Sequence, residues 1–249
     1  MNDMARIIAG IHSVRAALKH GAGQVRRIWF DSKRNDRRLG QLLSRARKLP
    51  IELIATDKTE LDRLARGSQH QGIAAQVQMA AARNEDALDE LLATLDEPPF
   101  LLVLDGVQDP HNLGACLRSA DAAGVHAVIA PRDRAVGLTP VACKVASGAA
   151  ESVPFIQVTN LVRTLRQLRE AHRLWVVGLA GEAEQSLYQV DLTGPLVMVM
   201  GSEEKGIRRL VREQCDVLAS LPMEGAVESL NVSVAAGIAL FEALRQRRM

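Results

Sequence analysis

Aromatic residues are scarce in this 249-residue chain, at 3% (four Phe, two Trp, one Tyr). That scarcity argues against an RNA-binding surface built from exposed stacking rings. Cysteine is scarcer still: Cys116, Cys143 and Cys215 stand far apart, with no CxxC pair. An odd, scattered set excludes a disulfide framework and a cysteine zinc site, and fits structural thiols in a reducing compartment. None of the six histidines has a cysteine or carboxylate at metal-ligand spacing, so no metal is expected. No apolar run approaches the length of a membrane span, and the amino-terminal residues lack the apolar core of a signal peptide. A cytoplasmic protein is the expectation. Repeats and low-complexity segments are also lacking.

What is present is apolar material for a core, at 47% of residues, and a marked asymmetry of charge. Residues 1–80 carry 15 Lys and Arg against 7 Asp and Glu, whereas the remainder carries 16 against 22. A basic block on a mildly acidic body suits a polyanionic partner gripped at one end, although many small domains carry a solvated basic face. Helical and strand-like stretches alternate through this block, with strands at 25–30, 51–55 and 73–79 and helices at 12–19, 37–48 and 59–64. Residues 4–10 read as a short strand or turn. Residues 81–97, Ala-rich and acidic with Pro98-Pro99 behind them, read as a linker holding one short helix near 86–95.

From residue 98 to 249 the alternation is plainer. Apolar strands are predicted at 100–105, 125–130, 155–158, 174–179, 196–200 and 217–221. Helices are predicted at 112–123, 140–147, 161–171, 207–214 and 230–248. Near-continuous apolar strands between helices predict a mostly parallel sheet covered on both faces. Such sheets bind ligands at the carboxyl ends of their strands, but no G-x-G-x-x-G follows the first strand, which removes the main support for a dinucleotide fold.

Three loop segments fall at those strand ends: Asn112-Leu113-Gly114-Ala115-Cys116-Leu117-Arg118-Ser119, Val199-Met200-Gly201-Ser202-Glu203-Glu204-Lys205-Gly206, and Leu221-Pro222-Met223 through Ser229-Leu230-Asn231. Pro222 and Gly225 shape the last loop, and Ser229 and Asn231 are helix-capping types. Gly201 taken alone reads as a turn glycine, and Arg118 as a surface arginine of an amphipathic helix. With its neighbours, Gly201 reads as a place where a flat ligand approaches bare backbone. The small residues Gly114, Ala115, Cys116 and Ala120 let their helix lie close to another chain or to a ligand. His111 is left out as a structural loop histidine, and the cysteines are expected in the core.

In this order and spacing the three segments resemble the motif set of the SpoU family of RNA 2′-O-ribose methyltransferases. Lys144-Val145-Ala146-Ser147-Gly148-Ala149-Ala150-Glu151-Ser152-Val153-Pro154, Gly10-Ile11-His12-Ser13-Val14 and His70-Gln71-Gly72-Ile73 extend the likeness over nearly the whole chain. The resemblance implies an α/β protein with an L30e-like RNA-binding domain at 1–80, a linker at 81–97 and a methyltransferase domain at 98–249 closed by a carboxy-terminal trefoil knot. It implies S-adenosylmethionine as cofactor, held by Met200, Gly201, Leu221, Met223, Ser229 and Leu230. It implies a homodimer, in which the region of the apolar stripe at 230, 234, 238 and 241 packs on its twin, where core would be the default for such a pattern. The implied reaction is 2′-O-methylation of a guanosine in the peptidyl-transferase region of 23S rRNA. A tRNA methyltransferase and a non-catalytic ribosome-assembly factor are the competing readings. Arg118 takes the family's central catalytic position. Because guanidinium stays protonated in proteins, Arg118 is expected to bind the phosphate beside the target ribose, with Asn112, Glu203, Ser229 and Asn231 as polar partners.

Overall fold

The computed structural model describes residues 5–20, 25–34, 36–78 and 82–249. Met4 and Met79, which bound two of the expected strands, lie outside them. The chain divides into two units, Met1–Ala80 and Ala81–Met249.

The first unit runs β1 (Ala5–Ala9), α1 (Ile11–His20), β2 (Val25–Asp31), α2 (Arg37–Ala46), β3 (Glu52–Thr56), α3 (Lys58–Ala65) and β4 (Ile73–Gln78). Its sheet has the order β1-β4-β2-β3. β4 is antiparallel to β1 and β2, while β2 and β3 are parallel. The opening segment is therefore a strand, fixed by its pairing with Ala74 and Ala75 of β4. Val14, Leu18, Ile28, Leu39, Leu42 and Val77 fill the core. Asp36 and Asp57 cap α2 and α3 by accepting main-chain N–H bonds from Leu39 and Glu60, both 2.9 Å.

The second unit contains α4 (Glu85–Thr94), β5 (Phe100–Asp105), α5 (Pro110–Ala123), β6 (Ala127–Pro131), α6 (Pro140–Ala146), α7 (Ala149–Ser152), β7 (Phe155–Val158), α8 (Leu161–Glu170) and β8 (Trp175–Leu179). A 3-10 turn at Leu187–Gln189 follows, then β9 (Leu196–Gly201), α9 (Arg209–Arg212), β10 (Val217–Ala219) and α10 (Val232–Arg247). Six parallel strands lie in the order β10-β8-β9-β5-β6-β7. From β5 the chain builds outward through β6 and β7, crosses to β8, and returns to insert β9 between β8 and β5. The direction of building reverses beside β5, which places the crevice of the sheet at the carboxyl ends of β5 and β9.

Four departures from the sequence reading have local causes. Residues 81–97 do not behave as a linker: Leu88 of α4 is buried in the core of the second unit. Arg83 also bonds along β7, through its N–H to the Phe155 carbonyl and through its own carbonyl to the Gln157 N–H, both 2.8 Å. α5 begins at Pro110, two residues early, because Asp109 caps it through the His111 N–H at 2.8 Å. α7 is an unforeseen restart after left-handed Ser147 and Gly148 break α6. α9 and β10 are shorter than expected, since Arg208 is drawn to Asp105 and Ser220 pairs with the loop at Gln185.

Candidate active site

Register brings the site together. Asp105, the last residue of β5, lies opposite Gly201, the last of β9, and Met200 lies opposite Leu179 at the end of β8. Beyond Gly201 the chain makes a tight turn, Ser202 and Gly206 exchanging main-chain bonds of 3.1 and 2.9 Å, with Gly206 at φ +60°. A side chain at Gly201 would strike the backbone of Gly206 and Ile207. The missing side chain thus serves the turn packed over the strand end, while the Gly201 backbone also lines the cleft described below. Asp105, with its side chain fully buried, fastens the same turn: it accepts the Arg208 N–H at 2.8 Å and the Arg208 Nε–H at 2.6 Å.

At the tip of that turn Glu203 Oε1 accepts bonds from Asn112 Nδ2 (2.8 Å) and Asn231 Nδ2 (2.7 Å), and Asn231 Nδ2 also reaches Asn112 Oδ1 at 3.0 Å. Asn112 comes from the first turn of α5. Asn231 is the cap of α10, and its Oδ1 is held by the Ser233 N–H at 2.9 Å. One carboxylate is therefore fixed by two carboxamides from segments 91 and 28 residues away in sequence. Beneath it, burial and the Glu203 charge push the Cys116 thiol up to about 12. Cys116 and Cys143 are buried and Cys215 is half-buried.

Beside this triad lies a cleft of about 330 Å³, within the range of small-molecule sites. Met200, Gly201, Leu221, Met223, Ser229 and Leu230 all line it. So do Leu179, Ala180, Gly181 and Glu182, from a loop that the sequence reading did not assign to the site. The signal for that loop was positional, since it leaves the strand next to β9. An apolar floor with Glu182, Glu203 and Glu228 around it suits a flat nucleoside bearing a cationic sulfonium, so the lining fits S-adenosylmethionine. Arg212 in the same wall is engaged by Glu182 at 2.5 Å. A second hollow of about 270 Å³, lined by Gly106, Val107, Gln108, Asp109 and Asn112, shares Ser202, Glu203, Lys205 and Val232 with the first. Glu203 thus borders both.

Arg118 is not brought to this cluster. It is exposed on α5, lines neither hollow, and its side chain has no hydrogen bond or ion pair among the described residues. The small residues of α5 are spent inside the unit. A Cβ on Gly114 would come within 2.5 Å of the Ala142 carbonyl of α6, and Ser119 lies beside Gly237 of α10. Among the described residues no cluster of three or more His, Cys, Asp and Glu could hold a metal ion, and no helix is long and apolar enough to cross a membrane.

A parallel α/β unit with a nucleoside-sized cleft at its switch point, and a fixed carboxylate between that cleft and a second hollow, is the architecture of a cofactor-dependent enzyme. Comparison with known proteins gives the family. The SpoU rRNA Methylase family matches residues 99–241, and the RNA 2′-O ribose methyltransferase substrate binding family matches residues 7–82. The chain is 57% identical to the 23S rRNA (guanosine-2′-O-)-methyltransferase RlmB of Shewanella oneidensis, over 97% of this chain and 98% of that one. It is 54% identical to the RlmB of Ralstonia nicotianae over 98% and 96%. The solved SpoU methyltransferase AviRb of Streptomyces viridochromogenes, in complex with AdoMet, superposes with a TM-score of 0.77 at 27% identity, covering 98% of this chain and 91% of that one. The chain belongs to the SpoU rRNA methylase family.

Proposed function

We propose that this protein transfers the methyl group of S-adenosylmethionine to the 2′-oxygen of a guanosine in the peptidyl-transferase region of 23S rRNA, as a cytoplasmic homodimer. The observation that carries the reading is Glu203, a carboxylate fixed by Asn112 and Asn231 where two hollows meet. The larger, apolar hollow holds the cofactor and the smaller one admits the target ribose. When bound, the sulfonium supplies an electrophilic methyl group. The protein's own work is placement, and orientation alone can be worth about 7–11 kcal/mol. Glu203 Oε1 is occupied by the two carboxamides, which leaves Oε2 to accept the ribose hydroxyl. Ser229 lines the cofactor cleft from the loop that ends at Asn231. Arg118, exposed on α5 and outside both hollows, is free to hold an RNA phosphate through its planar fork.

The dimer is supported by α10. Its stripe at Val234, Ile238 and Phe241 does not enter the core: Val234 and Phe241 are 50% and 49% exposed, while Ala236, Ala239, Leu240 and Ala243 form the buried face. A second copy is the occupant this outward face fits. The first unit serves as an L30e-like RNA grip, in keeping with its basic balance and its match to a substrate-binding family. The carboxy-terminal segment is threaded as a trefoil knot, a reading supported by the return of the chain from the sheet edge to insert β9 beside β5. Full-length likeness to rRNA enzymes, first unit included, favours this substrate over tRNA.

The test is to incubate the protein with S-adenosylmethionine and deproteinised rRNA from cells lacking it, then map 2′-O-methyl groups. One new methyl on a 23S guanosine is expected. Methylation of tRNA alone, or none, would overturn the reading.

A further inference from the structure

Two of the quoted motifs, Gly10-Ile11-His12 and His70-Gln71-Gly72, have no part in the second unit's site. They meet in the first unit. Gln71 Oε1 accepts the Ile11 N–H at 3.2 Å, and the Gly10 N–H reaches the Ile73 carbonyl at 3.0 Å. His70 braces the turn, its Nδ1 accepting the Gly72 N–H at 3.0 Å and its Nε2 lying 3.1 Å from Asp62 Oδ1. Gly72 stands at φ +76°, and a Cβ there would lie 2.6 Å from Arg34 Cδ, so the glycine lets the arginine stem lie across the turn.

These pieces enclose a hollow of about 400 Å³ lined by Ile11, His12, Arg34, Arg37, Arg38 and Gln71, with Asp36 as its acidic member. Asp36 is fully committed: Oδ2 accepts Arg34 Nε–H at 2.6 Å and Oδ1 accepts the N–H groups of Arg38 and Leu39, both 2.9 Å. It aims Arg34 and caps α2, leaving the other two guanidinium groups without a counter-charge. Arg37 and Arg38 are exposed and have no side-chain partner among the described residues. Both sit in the first turn of α2, where the helix dipole disfavours cations. Stability alone would place acidic residues there. An anion supplied from outside removes both the mutual repulsion and the dipole conflict.

We infer that this hollow is a phosphate-binding site for the backbone of the substrate RNA, with Arg37 and Arg38 gripping phosphate oxygens and Arg34 held ready beside them. The inference rests on the rRNA reading above and locates, within the first unit, the residues that hold the substrate. Arginine forks suit phosphate oxygens, and such contacts position an RNA without reading its sequence.

The experiment compares the full-length protein, the Arg37→Ala/Arg38→Ala variant and a charge-matched Arg45→Ala/Arg47→Ala variant at the other end of α2. Arg45 and Arg47 are likewise exposed, about 12 Å along the helix. Affinity for a labelled 23S rRNA fragment is measured across a salt series, S-adenosylmethionine affinity by calorimetry, and methylation at saturating RNA. The Arg37/Arg38 variant should lose about tenfold in RNA affinity at physiological salt, and its log-log salt slope should flatten by about 1.5, two phosphate contacts at 0.7–0.9 each. Cofactor affinity and the saturated rate should hold, and the control should lose less than threefold. Unchanged RNA affinity in the Arg37/Arg38 variant, or an equal loss in the control, would overturn the site. If the wild-type protein methylates no rRNA, the functional reading itself fails and takes the site with it.

Discussion

Replacing Gly201 by alanine sets a methyl group against the backbone of Gly206 and Ile207, which cannot swing aside as a flexible side chain could. The turn carrying Glu203 must shift, and the cleft wall shifts with it. Calorimetry should show S-adenosylmethionine affinity reduced at least tenfold in Gly201→Ala, together with a lower melting temperature. Wild-type affinity would mean the turn yields at no cost. Arg118 poses the opposite case, a residue without internal contacts. Arg118→Lys should keep most RNA affinity but lose most single-turnover methylation, because lysine retains the charge and not the bidentate fork. Cofactor binding should be normal in both Arg118→Lys and Arg118→Ala, and a wild-type rate in Arg118→Ala would remove this residue from the mechanism. Asn112 and Asn231 were legible in the sequence as polar residues of the motif segments, and Asn231 also as a helix-capping type. Their convergence on Glu203 was not, because hydrogen bonds spanning 91 and 28 residues are set by strand order rather than by local pattern. The Asp105–Arg208 clamp was missed for the same reason: neither residue stands in a motif, and their separation is 103 residues.

Elements show where periodicity informs and where it misleads. β5, inside its sheet, was readable to the residue because a buried parallel strand writes a continuous apolar run, and β7, at the edge, was readable from its apolar Phe155, Ile156 and Val158. α4 was expected as a helix near 86–95, but its segment was read as a linker because an acidic, Ala-rich helix with one deeply buried leucine resembles one. Leu88→Ala should cost about 2–5 kcal/mol in denaturant unfolding, as for other buried leucines, and a cost near zero would restore the linker reading. α10 presents two apolar faces, so its pattern could not say which one is core. Its inner end is well anchored: Gln246 Oε1 accepts the Leu192 N–H at 2.9 Å, and the Arg247 guanidinium lies 4.5 Å over the Phe100 ring. With packing secured by the alanine face, Phe241→Glu should leave the fold intact and dissociate the dimer. Light scattering should then report a 27.1 kDa particle where the wild-type protein gives twice that mass. A wild-type protein already monomeric at micromolar concentration would refute the assignment of this face.

For the whole molecule, the proposed sharing of tasks between the two units predicts that they respond differently to salt. A chain of residues 81–249 keeps every residue lining the two active-site hollows, together with the core around Leu101, Val103 and Val199. It should fold and bind S-adenosylmethionine with near wild-type affinity. Its RNA affinity should fall and its salt slope should flatten, since phosphate contacts go with the first unit. Equal RNA binding by the truncated and full chains would reduce the basic block to a solvated face. The charge split was open to reading from the sequence. The hollow that concentrates part of that charge was not, because it depends on how β4 returns beside β1 and β2.

The carboxy-terminal position of the loop at 221–231 and of α10 has a temporal consequence. A ribosome makes the chain from its amino end, so Leu221, Met223, Leu230, Val232 and Ala235 emerge after the cleft-lining residues of 179–212. Asn231, one of the two groups that hold Glu203, likewise emerges after both Asn112 and Glu203. The first unit is made before the cleft can be assembled. On the reading proposed above, a growing chain can therefore meet RNA before it can hold a methyl donor.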